Sequence, residues 1–499
     1  MRHQFELETA KNPEALKRIV IEPVSRVEGH GKVTILLDDD NQVHQVRLHI
    51  VEFRGFEKFI EGRPYWEVPV LVQRLCGICP VSHHLAASKA MDMIVNGGVL
   101  TPTAEKIRRL MHYGQMLQSH ALHFFHLSSP DLLFGFDSDV AKRNIVGVAA
   151  ANPDVAKMGV LLRKFGQEVI RVTSGKRVHG TGSIPGGVNK SLSQEERDYL
   201  LKDADQMIVW SRDAVRIIKQ LHLSNPALYD VFGNVPTTMM SLVDDKGALD
   251  FYHGALRARD RDGEVIFDQV SYQGYNTLLT EGVKPWSYMK FPYITTLGEE
   301  KGWYKVGPLA RVQNCDRIPT PQAEEERLEL IAHGNGKPMH GSLGFHWARM
   351  IEMLCAAETI KDLLLDPDIM GAELMALGPR REEGIGVIEA PRGTLFHHYR
   401  VNEDDVVTYA NLIVSTTNNN TAMNVAVRDV AKNYLQGHEI TEGLLNHIEV
   451  AIRCFDPCLS CATHALGKMP LEVTLVDASG AEIDRMTKDT EGRVSKGAA

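Results

Sequence analysis

Arg74-Leu75-Cys76-Gly77-Ile78-Cys79-Pro80-Val81-Ser82-His83 near the front of the chain, and Asp456-Pro457-Cys458-Leu459-Ser460-Cys461-Ala462-Thr463-His464 near its back, settle its reading. Each stretch holds a CxxC pair, and the two pairs use four of only seven cysteines. A fold that joins them makes a tetrathiolate site, and thiolate selects soft metals. From cysteine spacing alone, a closed structural zinc site accounts for them at least as well as anything else. The flanks carry more than zinc needs. Arg74 and His83 bracket the first pair, and Asp456 and His464 bracket the second.

The whole chain, at 499 residues, can bury a large core, and 43% hydrophobic with 24% charged residues is an ordinary soluble balance. A net charge of −9 with scattered basic residues gives no sign of a nucleic-acid binder. The start, Met1-Arg2-His3-Gln4-Phe5-Glu6, lacks the apolar stretch of a secretory signal. No apolar run reaches the ~18 residues of a membrane span. The odd cysteine count argues against an extracellular disulfide framework. A cytoplasmic, reducing location is expected.

The front reads as a small β region: residues 18–22, then 31–37 and the alternating 43–51 about the turn Asp38-Asp39-Asp40-Asn41. Helices follow. Thr101-Pro102 and Asn152-Pro153 open two of them, Gly175 stops the second, and Ser193 with Glu196 makes a capping box for a third. Their apolar stripes predict a packed bundle. Residues 230–317 read as irregular, helices return at 321–333 and 347–365, and short β stretches at 386–414. The expected fold is mainly α with β edges (α+β): one domain over 1–464 and an extension over 465–499. In that extension, 471–476 and 481–486 form a hairpin and 487–499 is a polar, mobile end.

Together these motifs resemble nickel–iron hydrogenase large subunits. The first stretch resembles the family's RxCGxCxxxH signature and the second its DPCxxCxxH signature. Arg26-Val27-Glu28-Gly29-His30, Phe53-Arg54-Gly55-Phe56-Glu57 and Glu389-Ala390-Pro391-Arg392-Gly393 fit three further elements in the right order. The soluble, NAD-linked bidirectional type is the nearest. The resemblance implies a buried Ni–Fe centre. Cys76 and Cys458 would be terminal nickel ligands, and Cys79 and Cys461 would bridge to an iron carrying CO and cyanide. Splitting H2 needs a base, for which a terminal thiolate (Cys458) and Glu28 are the candidates; a Glu beside a buried metal can titrate near neutrality. Arg392, following Pro391, would stand over the open site as a fixed charge. Asp131 and Asp456 would be its partners. Ser415 would donate to a cyanide, and His83 would hydrogen-bond a bridging sulfur. Glu57, His464 and the backbone carbonyl of Asn411 would hold magnesium. Asn411 is placed by ungapped register from Arg392 and stands where many relatives have Leu. His120, His123 and His126, at helical spacing, are assigned to core packing.

The resemblance also implies processing. A maturation endopeptidase would cut after His464 once nickel-insertion proteins have loaded the site, removing the last 499 − 464 = 35 residues. Cys315, Cys355 and Cys454 are too dispersed for an Fe–S cluster. The near-match His179-Gly180-Thr181-Gly182-Ser183-Ile184-Pro185-Gly186 has Pro185 where a dinucleotide fingerprint needs its third glycine. NAD, FMN and Fe–S clusters would therefore sit on partners: diaphorase subunits and a hydrogenase small subunit. A hydrogen-sensing hydrogenase, a structural zinc protein and the related quinone-site subunit of respiratory complex I remain the rivals.

Overall fold

Three strands at the front pair antiparallel in the order β1 (Lys17–Ile21), β2 (Gly31–Leu37), β3 (Val43–Ile50), with Lys17 opposite Leu37 and Gly31 opposite Ile50. The computed structural model describes residues 10–464, 471–478, 481–489 and 491–497. Every residue of β2 is buried, so the loop just before it, which carries Glu28, is anchored to the core. α1 (Phe56–Ile60) follows and carries Glu57.

The helices begin where the caps predict. α2 (Pro80–Asn96) opens with Cys79 at its N-cap and Pro80 in the first turn, and stops at Gly97 in the left-handed conformation. Thr101 accepts from the Ala104 N–H to cap α3 (Pro102–Leu122), which runs on as a π-helical segment, His123–Ser128. α4 (Pro153–Ser174) ends at left-handed Gly175, and the Ser193–Glu196 capping box starts α5 (Gln194–Ser224).

The stretch 230–317 is more regular than its sequence suggests. β4 (Thr238–Val243), β5 (Ala255–Arg259), β6 (Val265–Val270) and β7 (Tyr304–Lys305) form a sheet in the order β7-β4-β5-β6, with β7 parallel to β4. β4 is buried throughout, so it shows no polar/apolar alternation by which to recognise it. α6 (Pro308–Asn314), α7 (Pro321–His333) and α8 (Gly344–Leu365) follow; α8 starts three residues before the expected Trp347. α8 packs on α3, α5, α6 and α7, which makes it the central helix of the core.

β8 (Glu383–Ala390), β9 (Gly393–Val401) and β10 (Val407–Ile413) form an antiparallel meander, and the β8–β9 turn presents Arg392. α2 lies directly on β8. A Cβ at Gly384 would run into the Ala90 carbonyl, and one at Gly386 into that of Ala86. These glycines let the helix after Cys79 approach the strand before Arg392. α9 (Asn420–Val430) and α10 (Glu442–Cys454) lead to the second cysteine pair.

Beyond His464, β11 (Leu471–Val476) and β12 (Glu482–Lys488) make the expected hairpin. Part of the expected mobile end is instead a third strand, β13 (Val494–Gly497), paired to β12. Asp489 accepts from the N–H groups of Glu491 and Arg493 to form the turn between them. Residues 490 and 498–499 of that end lie outside the described residues. Among the described residues, no helix is long and apolar enough to cross a membrane.

Gly386→Ala should lower stability by about 1–3 kcal/mol, the usual cost of overpacking. A thermal or urea melt checks this; an unchanged midpoint would mean that α2 is free to move off β8.

Candidate metal centre

Four buried sulfurs meet at one point. Cys76 Sγ lies 3.4 Å from Cys458 Sγ, and Cys79 Sγ lies 3.9 Å from Cys461 Sγ. All four lie within 4.8 Å of one another. The first cysteine of each pair thus faces the first of the other, and second faces second. The sulfurs of Cys458 and Cys461 are in disulfide contact, and only the reduced pair offers two thiolates.

Local backbone explains the aim of each. Cys76 is extended after the turn Val72–Leu75, and its sulfur accepts the N–H groups of Ile78 (3.2 Å) and Cys79 (3.1 Å). Burial raises the Cys76 pKa, but the hydrogen bond from Cys79 and the charge of Arg392 carry it below its ordinary value; the Cys79 thiol is pushed up. Arg74 points away from the sulfurs. It bonds His179 (2.7 Å), whose other ring nitrogen holds the Cys76 carbonyl (3.0 Å). The failed dinucleotide-like stretch therefore serves to position a cysteine. On the other side, the Cys458 N–H donates to Thr416 Oγ1 at 2.9 Å, a contact that sequence reasoning missed.

Glu28 reaches this centre from the loop before β2. It forms an isolated parallel bridge with Cys458, and its carbonyl accepts the Leu459 N–H at 2.9 Å. Its Oε2 lies 3.0 Å from Cys458 Sγ, within reach of the reduced thiol's proton, and accepts the Ser460 N–H at 3.1 Å. Gly29, at φ +87°, permits the approach, since a Cβ there would sit 2.6 Å from Ser460 N. Half-buried, Glu28 spans from a buried sulfur to the surface.

Arg392 lies over the sulfurs beside a small cavity lined by Cys79, His83, Pro391, Ser415, Thr416 and Cys458, among others. Its Nε donates to the Asp456 carbonyl and its Nη2 to Asp456 Oδ1 at 3.0 Å. Burial opposes its charge, but Asp456 and the nearby thiols more than offset this and raise its pKa. Asp456 itself is pushed up by burial, against the pull of Arg392. The segment before Arg392 is clamped by Arg311, which sequence reasoning also missed. Fully buried, Arg311 bonds Glu352 through two nitrogens (2.6 and 2.7 Å), Glu389 (2.8 Å) and the carbonyls of Ala390 and Pro391.

His83 also lines the cavity. Its Nδ1 meets His397 Nε2 at 3.1 Å, and His397 Nδ1 meets the Tyr399 hydroxyl at 2.6 Å. Burial and Arg392 push the His83 pKa down to about 3, so the ring is neutral. With Tyr399 donating inward, His397 donates from Nε2 and His83 keeps its Nε2–H for the cavity. That polarity suits a thiolate, which needs a donor. Ser415 faces the cavity as well, with its Oγ donating to the Gly393 carbonyl at 2.7 Å. His120 bonds Glu352 at 3.0 Å, in keeping with its assignment to the core.

Two expectations need correction. Asp131 bonds Arg26 (2.6 and 2.8 Å), Arg453 (2.9 Å) and Asn446 (3.1 Å), not Arg392, because the segment after α3 packs on the loop before Glu28 and on α10. The Asn411 carbonyl is not aimed at Glu57. The Leu412 N–H donates to Glu57 Oε1 at 3.1 Å. In a strand, the N–H and C=O of one residue face the same side, so Leu412 turns its carbonyl toward Glu57 and Asn411 turns its own toward β9. The Asn411 side chain instead bonds Tyr275 and Glu281. The His464 ring does meet Glu57, at 3.1 Å from Oε1 and 3.2 Å from Oε2. Burial works against the Glu57 charge, yet His464 and Lys290 hold its pKa below the ordinary value.

The donor set suits the implied groups. Four thiolates fit nickel and iron. Arg392, which lines the cavity with Cys79 and Cys458, has its Nη1 buried without a hydrogen-bond partner. Buried polar atoms usually have partners, so the cavity beside Arg392 is built to receive a polar group.

Comparison with known proteins agrees. A nickel-dependent hydrogenase model matches residues 54–141 and 237–464, and a HoxL-like model matches residues 18–53. The chain belongs to the nickel–iron hydrogenase large-subunit family. It is 50% identical to the beta subunit of the NAD-reducing hydrogenase HoxS of Cupriavidus necator, across 95% of this chain and 100% of that one. It is 41% identical to a subunit of the F420-non-reducing hydrogenase vhc of Methanococcus voltae, across 94% and 99%. A crystal structure of an NAD+-reducing [NiFe]-hydrogenase in the H2-reduced state superposes with a TM-score of 0.89 at 57% identity, over 90% of this chain and 100% of that one. This hydrogenase thus has the expected fold, mainly α with β edges, around its four cysteines.

Asp131→Ala should destabilise the protein by about 3–5 kcal/mol, because it strips a buried partner from Arg453. A melt of the variant checks this. Unchanged stability with a loss confined to H2 turnover would return Asp131 to the neighbourhood of Arg392.

Proposed function

We propose that this hydrogenase subunit cleaves H2 reversibly into two protons and two electrons at a Ni–Fe centre held by Cys76, Cys79, Cys458 and Cys461. Cys76 and Cys458 would hold the nickel alone, and Cys79 and Cys461 would hold both the nickel and an iron that carries CO and cyanide. The observation that carries the reading is the carboxylate of Glu28, 3.0 Å from the sulfur of Cys458, at a point where four buried sulfurs meet. A closed zinc site has no use for a base there.

Bound metal supplies the acceptor for the electron pair of the H–H bond. The chain supplies the rest. Cys458 Sγ takes the proton, Glu28 Oε2 receives it, and the half-buried carboxylate passes it outward. Arg392, locked by Asp456, keeps a fixed positive charge and a spare N–H over the cavity. The neutral ring of His83, oriented through His397 and Tyr399, would donate to the Cys79 sulfur, and the Ser415 hydroxyl would donate to a cyanide. Glu57, His464 and the Leu412 carbonyl would hold magnesium and so would keep His464 close to the second cysteine pair.

Electrons leave through a small subunit with Fe–S clusters to diaphorase subunits carrying FMN and reducing NAD, in the cytoplasm. The relative whose name says NAD-reducing supports this choice. Residues 465–499 form the maturation extension, removed after His464 by an endopeptidase once nickel-insertion proteins have acted.

Infrared spectroscopy of the purified complex should show metal-bound CO and cyanide bands; active protein without them would refute the Ni–Fe assignment. Glu28→Gln should keep those bands and its nickel but lose roughly 10²-fold or more of H2 turnover and of H/D exchange. Full exchange in that variant would move the base elsewhere.

A further inference from the structure

Among the described residues, one other group brings three metal-type donors within 4.8 Å: His222, Asp230 and His333. His222 lies in the last turn of α5, Asp230 caps the short helix Pro226–Tyr229, and His333 is the last residue of α7. Both imidazoles aim Nε2 at one carboxylate oxygen: His222 at 2.7 Å and His333 at 2.9 Å from Asp230 Oδ1. The rings stand edge to face, with centroids 5.2 Å apart at 84°, and Trp347 of α8 backs both, at 5.3 Å from His222 and 5.8 Å from His333. The cluster is graded from inside to outside. The His222 side chain is 0% exposed, that of His333 20% and that of Asp230 37%.

We infer that His222, Asp230 and His333 form a second metal site, which binds one first-row divalent cation of the Zn2+, Co2+ or Ni2+ class with water completing its shell.

Two imidazoles and one carboxylate are the ligand set of that class, and they disfavour magnesium and calcium, which want oxygen. Burial pushes the His222 pKa below the ordinary imidazole value. Burial opposes the Asp230 charge, but hydrogen bonds from both histidines keep its pKa below the ordinary carboxylate range.

The same contacts also satisfy a triad without metal, as two N–H groups sharing one oxygen. Ligands about a tetrahedral ion with bonds of ~2.0–2.1 Å stand roughly 3.3 Å apart, so binding must open the triad by about half an ångström. All three residues sit at helix ends, where the chain gives most easily. His222 Nδ1 is buried without a partner, so no outer hydrogen bond strengthens that ligand, and a moderate affinity is expected.

Co2+ tests the site, because its spectrum reports its ligands. The complete complex, with its Ni–Fe centre loaded, is stripped of loose metal and titrated with Co2+ alone. One equivalent per large subunit should bind, with visible bands of nitrogen and oxygen ligation and no sulfur charge-transfer band, and Zn2+ should displace it. His333→Ala and Asp230→Asn should each weaken binding by at least about ten-fold, the loss that even an outer partner's removal causes. H2 turnover without added metal should be unchanged. No saturable uptake, a sulfur charge-transfer band, or equal uptake by both variants would each overturn the proposal. A far-ultraviolet spectrum and melt of each variant separate lost ligation from lost folding, and a variant that fails to fold is replaced by His333→Gln under the same criteria.

Discussion

The convergence of two short loops on one buried point governs the rest of this structure. Cys76 and Cys458 are 382 residues apart, yet their sulfurs stand 3.4 Å from each other. Ordering a chain over that distance is entropically expensive, and a tetrathiolate tolerates little error in position. Nearly every feature near the centre limits that error. α2 is docked on β8 through glycines, so Cys79 is rigidly related to Arg392. The Glu28–Cys458 bridge joins the first sheet to the last loop of the domain.

Buried charge is the second organising element. Arg311 with Glu352 and Glu389, Arg392 with Asp456, and Arg453 with Asp131 and Glu449 are internal ion pairs. Each costs desolvation that its Coulomb energy only partly returns, so such pairs contribute little net stability. What they contribute is placement. Arg311 makes five hydrogen bonds, and two of them end on the carbonyls just before Arg392. Removing one partner leaves a charge stranded, so the arrangement resists drift. A reactive site that must hold donors fixed while charge moves benefits from that stiffness.

Legibility in the sequence follows the range of the interaction. The Thr101 cap, the Ser193–Glu196 capping box and the stop at Gly175 are readable because each is satisfied within a few residues. The four cysteines, Glu28, Glu57, Arg392 and His464 are readable because their motifs are local and specific. The sheet over 238–305 is not, because its buried strands lack alternation and its parallel pair joins residues far apart. Register counted from Arg392 points to Asn411 instead of Leu412, and one residue of strand register reverses which carbonyl faces Glu57. Asp131 pairs with Arg26 and Arg453 rather than Arg392 because charge type names a class of partner and only packing selects the member. His397, Tyr399, Thr416 and Arg311 carry no motif at all.

The amino-acid sequence alone specifies the chemistry available: four thiolates, a carboxylate, a guanidinium and a carboxylate–imidazole pair, each tied to a short motif whose spacing is local. Tertiary packing chooses which groups touch: that the first cysteines of the two pairs face each other, that Glu28 reaches Cys458, that Arg311 holds the Arg392 turn, and that three helix ends bring His222, Asp230 and His333 together. The physical reason is the same throughout. Ligand type is a property of one residue, whereas contact depends on how buried elements far apart in the chain fill a common core, and no local pattern encodes that.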